Sequence, residues 1–193
     1  MLCSLRMNIP RAIKSQIIDK LTHSEKAVIL YGPRQAGKTT LAQEIVTEIG
    51  IRTLMVDGGV ASVQKILSSL EIKSLSQFVF GYDLLFVDEA QKIPAIGENL
   101  KLLIDHVPNL KILATGSSSF DLAQWVSEPL TGRKWVFTLY PIAQMELVKL
   151  HNKFELAQML PQFLVWGSYP NIFSIESLGD RKNFLTQLTN DYL

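Results

Sequence analysis

The segment Gly32-Pro-Arg-Gln-Ala-Gly37-Lys38-Thr39 constrains this chain more than any other, because it satisfies G-x-x-x-x-G-K-[ST] in full. Five apolar residues, Ala27-Val-Ile-Leu-Tyr31, run into it, and a helix-periodic segment over residues 39–49 leaves it. A strand, a glycine-bounded loop and a helix in that order form a cradle for a triphosphate. Backbone N–H groups wrap phosphate oxygens only where the chain curls tightly with no Cβ in the way, which accounts for Gly32 and Gly37. The helix opening near Lys38 aims its positive end at the same phosphates. Lys38 adds a mobile charge for the β- and γ-phosphates, and the Thr39 hydroxyl reaches Mg²⁺. The expected nucleotide-binding set is Gly32, Pro33, Arg34, Gln35, Ala36, Gly37, Lys38, Thr39 and Thr40, with no direction assigned to the Arg34 side chain. The bland alternative is a strand-to-helix turn with a solvated lysine.

Leu84-Leu-Phe-Val87-Asp88-Glu89 places two carboxylates at the end of a continuous apolar run. Such a run suits a strand buried on both faces, and open α/β sheets gather ligands at the carboxyl ends of their strands. Asp88 is expected to hold Mg²⁺ with Thr39, and Glu89 to orient and polarise the attacking water. An acid beside the metal-holding one favours water as nucleophile, hence hydrolysis over transfer to a small acceptor. Away from a phosphate loop, the same pattern is often only a strand running into a polar turn.

Along the chain, short apolar runs alternate with helix-periodic segments, the signature of a parallel sheet covered on both faces. Helices are expected over residues 9–21, 39–49, 60–70, 98–106 and 120–126. Strands are expected over 27–31, 52–57, 84–87, 111–115 and 135–139. From Ile142 onward the pattern is helical, with breaks at Pro161 and at Gly167-Ser-Tyr-Pro170. The expected division is a nucleotide domain over 1–140 and a helical segment over 141–193. The helical pattern still runs at Asn190-Asp-Tyr-Leu193 without a cap signal, so the second domain is expected to be incomplete. Apolar surface around residues 163–173 and 184–188 would then stay uncovered and favour self-association.

Composition narrows the partners. With 47% hydrophobic and 19% charged residues the chain is globular, and 19 Lys and Arg against 18 Asp and Glu leave a net charge of +1. That balance gives no general attraction to nucleic acid or anionic membrane, and only residues 1–38 are locally basic. The single cysteine, Cys3, excludes an internal disulfide and favours a reducing, cytoplasmic setting. The longest uncharged stretch, residues 156–175, holds Gln158, Pro161, Gln162, Gly167, Ser168, Pro170 and Asn171, too many polar groups and breakers for a membrane span. His23, His106 and His151 lack metal-ligand spacing, and Trp125, Trp135 and Trp166 form no base-stacking pattern.

Taken together, YGPRQAGKTTL, LLFVDEAQ, ILATGSSS, LTGR and GSYP, in that order, resemble the AAA+-type bacterial and archaeal ATPases with a GPRQ-x-GKT loop. The resemblance covers almost the whole chain. It implies a three-layer α/β P-loop NTPase with a parallel sheet in the order 5-1-4-3-2, followed by a helical C-terminal segment. It also implies that Ser117, with Thr115 second, contacts the γ-phosphate or lytic water; the alternative is a serine cap on the helix expected at Phe120, by Ser118 or Ser119. Arg133 resembles the family's GR motif, an arginine that stabilises transition-state charge in cis or from a neighbour; the alternative is a surface arginine flanking a strand. The catalytic set is thus Glu89, Lys38, Ser117 and Arg133, and the metal set Thr39 and Asp88. A homo-oligomer and nucleic acid stay open as partners, shown by no motif.

Other classes fit less well. A GTPase would carry D-x-x-G and N-K-x-D, whereas Asp88 is followed by Glu89-Ala-Gln91, and Asn152-Lys-Phe-Glu155 lies in a helical segment. A P-loop kinase would want an arginine-rich lid and has less use for Glu89. A module that holds ATP without turning it over remains the main alternative.

Overall fold

The computed structural model describes residues 9–117 and 129–190, which fall into two compact units. Of these, one comprises residues 13–34, 38–117 and 129–139, the other residues 9–12, 35–37 and 140–190.

The larger unit is a five-stranded parallel sheet with helices on both faces. Its strands are β1 (Ala27–Gly32), β2 (Thr53–Asp57), β3 (Leu84–Asp88), β4 (Lys111–Ser117) and β5 (Lys134–Thr138). They lie in the order β2-β3-β4-β1-β5, the expected 5-1-4-3-2 read from the other edge. Burial separates centre from edge: β1, β3 and β4 are almost wholly buried, whereas every residue of β2 and β5 is half-buried or exposed. The helices are α1 (Lys14–His23), α2 (Lys38–Ile49), α3 (Ala61–Leu67), α4 (Ile72–Phe78) and α5 (Ile96–His106).

Side chains alternate along a strand, so register decides which residues meet on one face. Ala27, Ile29, Leu85, Val87, Ile112 and Ala114 turn to one side, against Leu67 of α3, Leu75 of α4 and Leu100 and Leu103 of α5. The opposite face of β1 and β4 packs on α1 and α2, which bury Ile17, Leu21, Leu41, Ala42 and Ile45. Val87 pairs with Ala114 and Leu30 with Thr115. One residue beyond Val87, Asp88 therefore shares the face of Thr115 and Leu30, under the start of α2.

Three expectations are corrected. The first helix starts at Lys14, not Ile9. Pro10 disfavours helix at Ile9, and the Ala12 N–H is taken by the Glu146 carboxylate at 2.8 Å. The single helix expected over 60–70 ends at Leu67, because Leu70 turns left-handed (φ 56°) and donates its N–H to Asn99 Oδ1 at 2.9 Å. Pro161 does not break its helix, which runs from Lys153 to Trp166. Asn152 caps the start by accepting from the N–H groups of Phe154 and Glu155, and the stop falls at Gly167 (φ 69°). Cys3, Ser118, Ser119, Trp125 and the helix expected over 120–126 lie outside the described residues.

The smaller unit contains α6 (Gln144–Leu147), α7 (Lys153–Trp166), a 3₁₀ turn (Pro170–Ser174) and α8 (Leu178–Asn190). Ile9, Ile142 and Leu147 form its core with Leu156, Phe163 and Phe173, the two rings 6.0 Å apart. Phe163, Phe173 and Leu188 are thus more covered than expected. Within the expected 163–173 stretch Leu164 and Val165 are exposed, and earlier on α7 so are Phe154 and Leu160. Among the described residues no helix is long and apolar enough to cross a membrane.

Gly32 has a steric reason as well as its place in the motif. A Cβ there would lie 2.2 Å from the Leu139 carbonyl oxygen, in a stretch where Leu139 donates its N–H to the Tyr31 carbonyl at 2.7 Å. Neither backbone can retreat cheaply. Gly32→Ala is expected to destabilise the fold by about 1–3 kcal/mol, read from the urea midpoint at constant slope.

Candidate nucleotide site

The carboxyl ends of β1, β3 and β4 and the first turn of α2 bring the motif residues of the larger unit together. Lys38 is only 5% exposed, and its Nζ donates to the carbonyls of Gly32 and Pro33, each at 2.9 Å. Burial pushes its pKa below the ordinary lysine value, a trend opposed by the charges of Glu89 and Asp88 and reinforced by Arg34. The ammonium is therefore held beneath the strand end that begins the loop. Gln35 (φ 61°) and Gly37 (φ 93°) take left-handed conformations, and Ala36 is fully buried. Arg34, Gln35 and Thr40 are exposed, and Pro33 is half-buried.

Thr39 donates its hydroxyl to Asp88, 3.0 Å from Oδ1 and 2.8 Å from Oδ2. Asp88 also accepts from the buried Thr115 hydroxyl, which in turn accepts the Glu89 N–H at 3.2 Å. Thr115 thereby holds the Asp88 carboxylate and the backbone of Glu89, the residue after β3. Glu89 is left-handed (φ 52°), and its Oε2 accepts from the Gln91 side-chain amide. Gly58, just past β2, donates its N–H to the Asp88 carbonyl at 2.8 Å, and a Cβ on it would stand 2.5 Å from the Glu89 carbonyl oxygen.

Ser117 ends β4 in register with Gly32, beside the start of the loop, and is 9% exposed. Arg133 lies elsewhere. Its carbonyl accepts from Ala27 at the opposite, amino edge of the sheet, and its Nε pairs with Asp105 at 2.8 Å. The five residues of β5, roughly 16 Å of strand, separate it from the loop edge. The fold therefore gathers Lys38, Thr39, Asp88, Glu89 and Ser117 at one edge and leaves Arg133 at the other.

Sequence reasoning ranked Thr115 second and gave no role to Gln91 or Gly58. The contact of Thr115 with Asp88 follows from the β3–β4 register, in which Val87 pairs with Ala114, and strand periodicity alone does not give that register. Gln91 and Gly58 depend on how the chain turns after β3 and β2, which has no periodic signal.

A hard divalent cation prefers oxygen ligands and few protein groups when phosphate supplies the rest. The Thr39 hydroxyl and the Asp88 carboxylate, oxygens in mutual contact at the end of the loop, fit Mg²⁺ on that ground.

A parallel sheet in this order with this loop at its carboxyl edge defines a P-loop AAA+-type ATPase domain. The chain belongs to the AAA domain family, whose model matches residues 24–148. Two uncharacterized proteins, of Mycobacterium bovis and Mycobacterium tuberculosis, are each 34% identical to it over 128 residues, which is 66% of this chain and 28% of theirs. The match thus spans under a third of those relatives. Among solved structures, the Walker-type ATPase of Pyrococcus abyssi superposes with a TM-score of 0.59 at 18% identity, covering 95% of this chain and 72% of its own. The Holliday junction branch migration motor RuvB of Thermotoga maritima gives 0.50 at 20% identity, covering 75% and 50%. At those identities the likeness concerns the fold.

Proposed function

We propose that the chain is a Mg²⁺-dependent ATP hydrolase that serves as an ATP-driven switch in the cytoplasm. The observation that carries this reading is the Thr39–Asp88 contact at 2.8 Å with Glu89 next in sequence. Thr39 and Asp88 would hold Mg²⁺, which when bound supplies charge neutralisation between the β- and γ-phosphates. Lys38 binds those phosphates, Ser117 stands at the loop edge for the γ-phosphate, and Glu89 takes a proton from the attacking water. Thr115 keeps Asp88 and Glu89 in register. Phosphate release from ATP, with and without EDTA, tests the reading. Mg²⁺-dependent turnover supports it, and a folded protein that does not bind ATP overturns it.

A second reading is a nucleotide-binding module with little turnover. The contact between Gln91 and Glu89 favours it, since a carboxylate engaged by an amide must be released before it serves as a base. Turnover in Gln91→Ala distinguishes the two: a rise of several-fold marks a restrained hydrolase, and absence of turnover in both proteins marks a binder.

Within this proposal Arg133 acts from a neighbouring copy, a reading supported by its place at the amino edge, with β5 between it and the loop of its own chain. In dilute, monomeric protein Arg133→Ala should leave turnover unchanged. Its exposed pair with Asp105 should contribute no more than about 1 kcal/mol to stability. If turnover of the wild type rises with protein concentration, the rise should be absent in Arg133→Ala. A loss of turnover in the dilute variant would place Arg133 in cis and contradict the geometry.

A further inference from the structure

The smaller unit holds a buried ion pair that the residues above leave unexplained. Arg11 and Glu146 have side chains only 9% and 5% exposed, with Arg11 Nε 3.2 Å from each Glu146 carboxylate oxygen. The carboxylate also accepts the Ala12 N–H at 2.8 Å and the Ala143 N–H at 2.9 Å, which fixes its plane. The rest of the guanidinium fork is committed to backbone: Nη1 donates to the Ala36 carbonyl at 2.9 Å, and Nη2 to the Tyr140 carbonyl. Ala36 and Gly37 are the two loop residues immediately before Lys38.

We infer that Arg11, held by Glu146, is a positioning residue for the phosphate loop, fixing the Ala36–Gly37 peptide so that the Gly37 N–H is presented to the nucleotide. In a trans peptide the C=O and the following N–H point in opposite directions. With the Ala36 carbonyl turned to Arg11, the Gly37 N–H faces away from it. Gly37 takes a positive φ of 93°, open to glycine at no cost, and Gln35, one residue before Ala36, is left-handed at φ 61°, so the chain turns sharply on both sides of Ala36 and the direction of its carbonyl depends on what holds it. Nη1 also stands 3.6 Å from where a Gly37 Cβ would be, close under the same peptide. Glu146 neutralises the guanidinium, so the device works by direction more than by adding positive charge. A lysine cannot replace it, because one ammonium does not span a carboxylate and two carbonyls in fixed directions.

This inference rests on the nucleotide-binding reading, and the experiment separates the two. Kd values for Mg-ATP and Mg-ADP are measured by fluorescence titration on the full chain, wild type against Arg11→Met/Glu146→Gln, with thermal melts alongside. The double variant removes both buried charges together, so neither is stranded. Arg11→Lys, which keeps a cation opposite Glu146, provides the measurement if the double variant does not fold. Backbone N–H groups of the loop serve phosphates common to both nucleotides, so ATP and ADP are expected to lose affinity by the same factor, about tenfold or more, in folded protein. Unchanged Kd values in a folded variant overturn the inference. So does a loss for ATP alone, which would put Arg11 on the γ-phosphate itself. A wild type that binds neither nucleotide removes the reading beneath it, a different result from either.

Discussion

Lys38→Ala is expected to weaken ATP binding by tenfold or more and to abolish turnover, while the fold persists. The lysine supplies the full positive charge placed directly between the β- and γ-phosphates. Its ammonium already lies against the Gly32 and Pro33 carbonyls, so it reaches the phosphates from a fixed base. Removing it leaves the Gly32 carbonyl, in a buried bond, and the part-buried Pro33 carbonyl without that donor, a loss of about 1–3 kcal/mol for each that stays unsatisfied, against which the core beneath is unchanged. Isothermal titration with ATP and a thermal melt on the same sample check both halves. A folded variant with wild-type affinity would remove the central role given to this residue.

Glu89→Gln should behave in the opposite way, retaining ATP and losing chemistry. The amide keeps the shape of the side chain but cannot take a proton from water, and general-base catalysis contributes roughly 10²–10⁴-fold. Turnover should fall by that order while the ATP Kd stays within about twofold. Since Thr115 holds the Glu89 backbone N–H and not its carboxylate, the substitution leaves the Asp88 contacts in place. Single-turnover phosphate release separates this from a defect in binding. Wild-type turnover in the variant would reduce Glu89 to an acid at a strand end.

The parts of this site that repeat, or that sit on a regular element, were legible before any coordinates. Gly32, Lys38 and Thr39 are tied to a strand and a helix whose apolar periods are unmistakable, and Asp88 ends a run that only a buried strand explains. The sheet order followed from resemblance, not from periodicity, which says nothing about which strands are neighbours. What stayed hidden depends on pairings between distant segments. Thr115 was named by resemblance as a second candidate for the γ-phosphate, but its contact with Asp88 follows only from the β3–β4 register. Arg11 looked like one more base in a mildly basic segment, and Glu146 like one more acid on a helix, because nothing local marks two residues 135 positions apart as partners. Helix limits failed for the same reason: Asn99 ends the helical run near Leu70 from another element, and no local rule anticipates that.

The hold on Ala36 also has a consequence in time. A chain emerging from its amino end has every residue of the loop, of β3 and of β4 by Ser117, yet the partner of Arg11 is not made until Glu146. Contacts this distant in sequence form late, because the intervening loop must be closed before they add anything. If Arg11 acts as inferred, nucleotide competence is expected to follow the sheet rather than to arrive with it. A nascent chain halted at Leu139 would be protected by its sheet against proteolysis and still bind ATP poorly. Extension by a dozen residues would change the second property far more than the first.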